Sequence, residues 1–261
     1  MKVYIHTDLE GVSGVDNYPM IQPDNPRFEE SRLRLTEDIN AAVAGAYDAG
    51  ATHVMVLDSH GSGGARGNVI WEKIDSRATR EPRPAERWWG HLDASYACTF
   101  FIGAHAMAGT TNAFLDHTQS STSWFDYYVN GRKMGELAQW ALVAGHFGVP
   151  FVMMSGDQAA VSEAYEFFDP VETAVVKRGI GRLSACLVDL DEAHRRIYDA
   201  AKRALVHVGK AKPFKVTLPA EVILDYMRTE FADQAAKWEG IERINGRRIR
   251  KVVNSQLAII P

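Results

Sequence analysis

The chain has 261 residues, 46% of them hydrophobic and 24% charged, and a formal net charge of -4. That length buries a full core without disulfide or metal staples. The mildly acidic balance offers no electrostatic footprint for nucleic acid or an anionic membrane surface.

The opening Met1-Lys2-Val3-Tyr4-Ile5 lacks the apolar run and small-residue cleavage site of a signal peptide. No stretch reaches the roughly 20 apolar residues needed to cross a bilayer. Cys98 and Cys186 form no Cys-x-x-Cys pair and each lies in an apolar stretch, so both read as buried, reduced thiols of a cytoplasmic protein.

Lys2 to Thr7, β-branched and aromatic, reads as a first strand that ends at Asp8-Leu9-Glu10-Gly11. Phe28 to Ala49 carries Leu35, Ile39, Ala42, Val43 and Ala46 at helical spacing, with Gly50 as its C-cap. Thr52 to Leu57 is a buried strand that stops at Asp58-Ser59-His60-Gly61, before a loop rich in glycine. Ala97 to Ile102 is a third apolar strand and runs into Gly103-Ala104-His105-Ala106. Strand, helix and strand in this rhythm predict a largely parallel sheet with helices on both faces.

Further on, Trp124 to Val129 and a short partner from Arg132 flank Asn130-Gly131, a strong hairpin signal. Met134 to Phe147 reads as a helix, Val149 to Met154 as a strand and Gln158 to Phe168 as a helix. A strand at Thr173 to Lys177 and a helix from about Asp191 to Val208 follow. Beyond residue 210 the pattern changes to a strand at Pro213 to Leu218, a helix at Ala220 to Ala236, a turn at Asn245-Gly246 and a last strand-like run. The expected organisation is an α/β domain over residues 1–210 and a smaller α+β region over 211–261.

Three strands thus end in metal-capable side chains: Asp8 with Glu10, Asp58 with His60, and His105. In an open parallel sheet ligands bind outside the carboxyl ends of the strands, so these residues can converge. Imidazole and carboxylate suit zinc or another divalent ion without any thiolate. Carboxylates crowded together repel one another unless cations compensate them, which favours two ions with a bridging Asp. Taken singly, each ending has a plainer reading: Asp-x-Glu before glycine suits an N-cap, Asp-Ser-His suits turn chemistry, and one His after a strand is commonly just hydrogen-bonded. The joint occurrence favours the metal site. Trp88-Trp89 could line a pocket, but core packing or an oligomer contact is the favoured reading.

With these motifs in order, together with Asp116-His117 and Asn130-Gly131 through Gly135-Glu136-Leu137, the chain resembles the bacterial zinc D-aminopeptidases typified by the enzyme of the dipeptide transport operon. The likeness runs from residue 1 to about 190, while the part after about 210 departs from the family pattern. The resemblance implies a dinuclear zinc site, with Asp8 bridging and Glu10, His60, His105 and Glu136 completing the coordination. It also implies that His117 is the catalytic group. An α/β fold with a smaller second domain and a ring-shaped homodecamer are further implications. Manganese or cobalt accept the same ligands. From the residues alone, Glu136 equally suits a helix start, where an acid meets the helix dipole, and His117 a loop histidine paired with Asp116.

The expected activity is metal-assisted hydrolysis of a small peptide or amino-acid amide. Two other readings stand beside it: a hydrolase of a different, non-peptide amide, and a non-catalytic metal or small-ligand binding protein. Phosphoester cleavage ranks lower because no glycine-rich loop with a Lys opens a helix.

Overall fold

The computed structural model describes residues 1–82 and 87–260. Among these the elements are, in chain order, β1 (Lys2–Thr7), α1 (Phe28–Asp48), β2 (His53–Asp58), β3 (Ala78–Arg80), β4 (Cys98–Ala104), β5 (Trp124–Val129), β6 (Arg132–Lys133), α2 (Glu136–His146), β7 (Phe151–Asp157), α3 (Gln158–Phe167), β8 (Glu172–Gly181), β9 (Ser184–Leu187), α4 (Leu190–His207), β10 (Ala220–Tyr226), α5 (Thr229–Ala235), β11 (Ile241–Arg243) and β12 (Arg248–Val253).

The larger sheet has the order β3-β2-β1-β4-β7-β8-β9. Every neighbouring pair in it is parallel except β8 with β9. Helices α1 and α4 cover one face, where Val3, Ile5, Val54 and Ile102 meet Leu35, Ile39 and Ile197. Helices α2 and α3 cover the other, where Tyr4, Phe101 and Met154 meet Trp140 and Val161. Burial on both faces is why β4 and β7 are apolar without alternation and buried at every position. This is the parallel α/β sheet that the chain pattern predicts.

The smaller sheet is antiparallel, in the order β11-β12-β10-β5-β6. It packs its inner face against the far side of α2 through Tyr127, Leu142, Val222 and Leu224. Its strands come from two distant stretches, 124–133 and 220–253. The β5–β6 hairpin feeds directly into α2, so this sheet fixes where the first turn of α2 lies.

Several local expectations change. Ala220 to Tyr226 is a strand, not the first half of a helix, and only Thr229–Ala235 is helical. Alternating burial of Ala220, Val222, Leu224 and Tyr226 has period two, and pairing with β5 and β12 decides the matter. Pro213 to Leu218 joins no sheet. The Gln256 amide takes its backbone instead, accepting from Val216 N at 3.0 Å and donating to Phe214 O at 3.4 Å. The short strands β3 and β9 escape notice in the sequence because they lie at the sheet's two edges, are only three and four residues long and are largely exposed. Cys98 is buried as expected, but Cys186 is exposed on β9.

Candidate metal centre

Strands β2, β1 and β4 are adjacent and parallel, so their carboxyl ends open onto one cleft. Asp8 and Glu10 follow β1, His60 follows β2 and His105 follows β4. Two glycines allow the β1 and β4 ends to come this close. A Cβ on Gly11 would lie 2.0 Å from the Ala104 carbonyl oxygen, and one on Gly103, whose φ is +85°, would lie 2.2 Å from Asp8 O. The contact is sealed by Asp8 N–H to Ile102 O and Gly11 N–H to Gly103 O, both 2.8 Å.

Glu136 enters from the opposite wall, as the first residue of α2. Its Oε1 accepts from Gln119 N–H at 2.6 Å, which ties the helix start to the loop carrying His117. That loop is held from three sides. Leu115 N–H donates to Arg182 O, Phe114 N–H donates to Asp157 Oδ2, and Asp116 binds Gly109 N–H and the Arg182 guanidinium. Asp116 therefore does not pair with His117.

The side chains converge tightly. His60 Nε2 lies 3.3 Å from Glu10 Oε1, and His105 Nε2 lies 3.3 Å from both Asp8 Oδ2 and Glu136 Oε1. His117 Nε2 is 3.9 Å from Glu10 Oε1 and 3.7 Å from Glu136 Oε1, with its ring stacked on His105 at 4.0 Å and 9°. Two triads form, Asp8 with Glu10 and His60, and His105 with His117 and Glu136; within each, the ligand atoms lie within 4.8 Å of one another. His117, expected beside the ligands, thus also falls within ligand distance. Asp58 stays outside the cluster and accepts from Asn68 N–H and Val69 N–H, shaping the loop behind His60.

Asp8 Oδ2, Glu10 Oε2 and His105 Nε2 are buried without a hydrogen-bond partner among the described residues. His105 Nε2 is near two carboxylates but aligned with neither. Such orphaned polar atoms are costly in a protein interior unless something else binds them. The hydrogen bonds of the other ring nitrogens orient two imidazoles correctly: His105 Nδ1 faces Ala106 O at 3.0 Å and His117 Nδ1 faces Leu115 O at 2.8 Å, which leaves each Nε2 lone pair turned into the cluster. An all-nitrogen-and-oxygen donor set with unpaired acceptors fits divalent metal ions.

Electrostatics support the same conclusion. Burial, reinforced by Glu10, raises the Asp8 carboxyl to about 7. Burial alone would lower His60, but the Glu10 carboxylate overrides it and lifts the imidazole to about 9. His105 is likewise driven well above its ordinary value by Glu136 and Asp8 against the opposing effect of burial. Burial and the neighbouring His105 lower His117, so it is neutral near pH 7. Three carboxylates and three imidazoles therefore share protons where cations belong.

Strand β1 and the loop after it rest on further support that spacing alone does not reveal. Lys177, fully buried in β8, donates to Glu10 O and Val15 O at 2.6 Å each and fixes the loop after β1. The sequence signal was a lysine at the end of an apolar strand. His6 stacks on Trp140 at 4.3 Å, and burial lowers it to about 3, which keeps it neutral and in the wall. The cluster opens into a cavity of about 660 Å³ whose apolar side includes Tyr18, Ile21, Trp88 and Leu115. Trp88 is thus a pocket residue, packed from behind against the α2 core.

A family model described as D-aminopeptidase, peptidase family M55, matches residues 1–260. The chain belongs to the M55 D-aminopeptidase family. The match extends through the tail, so the departure expected after about residue 210 does not hold at the level of the family. A D-aminopeptidase of Bacillus subtilis (strain 168) is 32% identical over 245 residues, covering 92% of this chain and 85% of that protein. A solved structure of a zinc-dependent D-aminopeptidase from Bacillus subtilis, described as a self-compartmentalizing protease, superposes with a TM-score of 0.93. It is 28% identical, over 99% of this chain and 94% of that one.

Proposed function

We propose that this M55 member is a zinc-dependent aminopeptidase that hydrolyses small peptides or amino-acid amides bearing an amino-terminal D-residue. Its dinuclear centre would be held by Asp8, Glu10, His60, His105 and Glu136. The observation that carries this reading is the convergence of Asp8, Glu10, His60, His105 and Glu136 in one cleft with three buried, unpartnered donor atoms among them. Asp8 belongs to one triad, yet its Oδ2 lies 3.3 Å from His105 of the other, which suits a bridging carboxylate. When bound, the ions supply Lewis acidity toward the scissile carbonyl and acidify water.

The protein's own groups account for proton transfer. Glu10 and Glu136 are taken up as ligands of the ions, so the substrate's free amino group would be anchored at the metal centre and not by free carboxylates. His117 is neutral, its Nδ1–H is held by Leu115 O, and its Nε2 faces Glu10 and Glu136. It can take the proton of attacking water and return it to the leaving amine. The fixed loop holds this ring stacked on His105.

Self-association into a homo-oligomer, in its finer form a homodecamer, is part of the same proposal. It rests on the self-compartmentalizing relative and on Ile180 and Leu183, exposed by 57% and 63% at the β8–β9 edge. No helix among the described residues is long and apolar enough to cross a membrane; cytoplasmic residence is proposed from the two free thiols. We also propose 1–210 as the unit carrying the ligands and 211–261 as an appended region that completes the smaller sheet. The test is elemental analysis of the purified protein together with amine release from paired D- and L-alaninamide and D- and L-alanylglycine. Turnover of the D-substrates that chelation abolishes and zinc restores is expected. Undiminished turnover after metal stripping, or preference for the L-substrates, overturns the proposal.

A further inference from the structure

The cavity wall has an uneven charge inventory. Asp8, Glu10 and Glu136 line it, and among the described lining residues Arg182 is the one Lys or Arg. An aminopeptidase substrate with an open carboxyl end carries a negative charge at the end opposite its amine. Among the Lys and Arg side chains of the described wall, Arg182 is the one that can meet that charge away from the metal centre.

Arg182 is built to receive it. It sits between β8 and β9, and its carbonyl accepts Leu115 N–H at 2.8 Å, so its backbone is tied to the loop that carries His117. Its Nη1 donates to Asp116 O and to Asp116 Oδ1, the latter at 3.0 Å. Asp116 is itself fixed, because its Oδ2 accepts Gly109 N–H at 2.7 Å. The guanidinium is therefore oriented from one corner. Its Nε and Nη2 edge carries no hydrogen bond among the described residues, and the side chain is 42% exposed. Two parallel N–H donors on one planar edge match the two oxygens of a carboxylate. A fixed guanidinium also loses little freedom on binding.

We propose that Arg182 recognises the free C-terminal carboxylate of the substrate. The site would then select short peptides over their amides. This inference rests on the aminopeptidase reading and narrows it from peptides or amides to peptides with an open carboxyl end. The amine would lie at the metal centre formed by Asp8, Glu10 and Glu136 and the carboxylate on Arg182. Asp116 offsets part of the charge of Arg182, so selectivity comes from the paired donors more than from long-range attraction.

The experiment compares zinc-loaded wild type, Arg182→Gln and Arg182→Lys on D-alanylglycine and D-alanylglycinamide, which share one scissile bond and differ in the carboxylate alone. A hydrogen-bonded charge pair of this kind corresponds to a preference of about 10- to 100-fold. The wild type is expected to favour the acid by that factor in kcat/KM. In Arg182→Gln the acid-to-amide ratio falls toward one through KM, and Arg182→Lys recovers part of it. Equal efficiency of the wild type on both substrates overturns the inference while leaving the aminopeptidase reading intact. An Arg182→Gln variant that loses kcat on both substrates alike, with its ratio unchanged, also overturns it, because Arg182 then only braces Asp116. A wild type that cleaves neither substrate removes the aminopeptidase reading and the inference together.

Discussion

Replacing Gly11 by Ala tests whether the metal centre depends on the closeness of the β1 and β4 ends. The new Cβ would sit 2.0 Å from Ala104 O, whereas ordinary contact begins at 3.4 Å, so the two segments must part by about 1.4 Å. Both obstructing groups are backbone, and no side chain can swing aside. The movement breaks the Gly11 N–H to Gly103 O bond and shifts Glu10 away from the triad containing His105. Overpacking and one lost buried hydrogen bond together cost about 2–4 kcal/mol. A domain of this size loses about 5–15 °C in Tm for that change and still folds, because typical stabilities run to about 5–15 kcal/mol. Functional constellations tolerate only about 0.5 Å, so zinc affinity should fall by about 10- to 100-fold. Gly50→Ala is the control: its φ is +93° and nothing lies within 4 Å of the added Cβ, so it incurs backbone strain alone. Competition with a chromophoric chelator measures zinc affinity, and thermal unfolding measures the stability cost. Wild-type zinc affinity in Gly11→Ala would refute the claim that this contact sets the ligand geometry.

Three other outcomes follow from the site. Asp8→Asn should lose close to two zinc ions per chain and Glu10→Gln close to one, since Asp8 faces both triads; equal losses by elemental analysis would remove the bridging role. His117→Ala should lower kcat by about 10²- to 10⁴-fold with KM within a few fold and metal content unchanged; loss of zinc instead would make it a ligand, and an unchanged kcat would remove it from the mechanism. In the metal-free protein His60 is raised from 6.5 to about 9 by Glu10, against the opposing effect of burial, so its contribution to stability is fully present below pH 6.5 and is lost as pH rises through 9. The Tm of metal-free protein should therefore fall across that window while zinc-loaded protein stays level. Calorimetry at pH 7 should record proton release on zinc uptake, and binding without proton release would contradict the raised value.

Local chemistry made β1, β2 and β4 legible, because parallel strands buried on both faces read as unbroken apolar runs, and the rule for their carboxyl ends brought Asp8, Glu10, His60 and His105 together. Glu136 and His117 lay beyond such reasoning. The place of Glu136 depends on the β5–β6 hairpin, which is held by β10 about ninety residues later in the chain. That of His117 depends on Arg182 and Asp157, again distant in sequence. For these two residues a family pattern supplied what periodicity could not. The misread stretch from Ala220 has the same origin. Its apolar residues suit either period over so short a run, and partner strands made the choice.

The protonation pattern explains how so acidic a cleft can be packed before it holds any ion. Two buried carboxylates and the half-buried Glu136 within a few ångströms would repel strongly if nothing opposed them. The two imidazoles that face them at 3.3 Å can each carry a proton, which gives the metal-free site cations of its own. A divalent ion then replaces a proton on an already placed ligand instead of drawing scattered side chains together. The backbone already fixes that placement through the β1–β4 contact, the Gln119 bond to Glu136 and the Lys177 bonds to the loop after β1. Affinity is consequently governed by proton competition and ring orientation more than by folding on binding, and lowering the pH should release the metal while leaving the sheet and its helices in place.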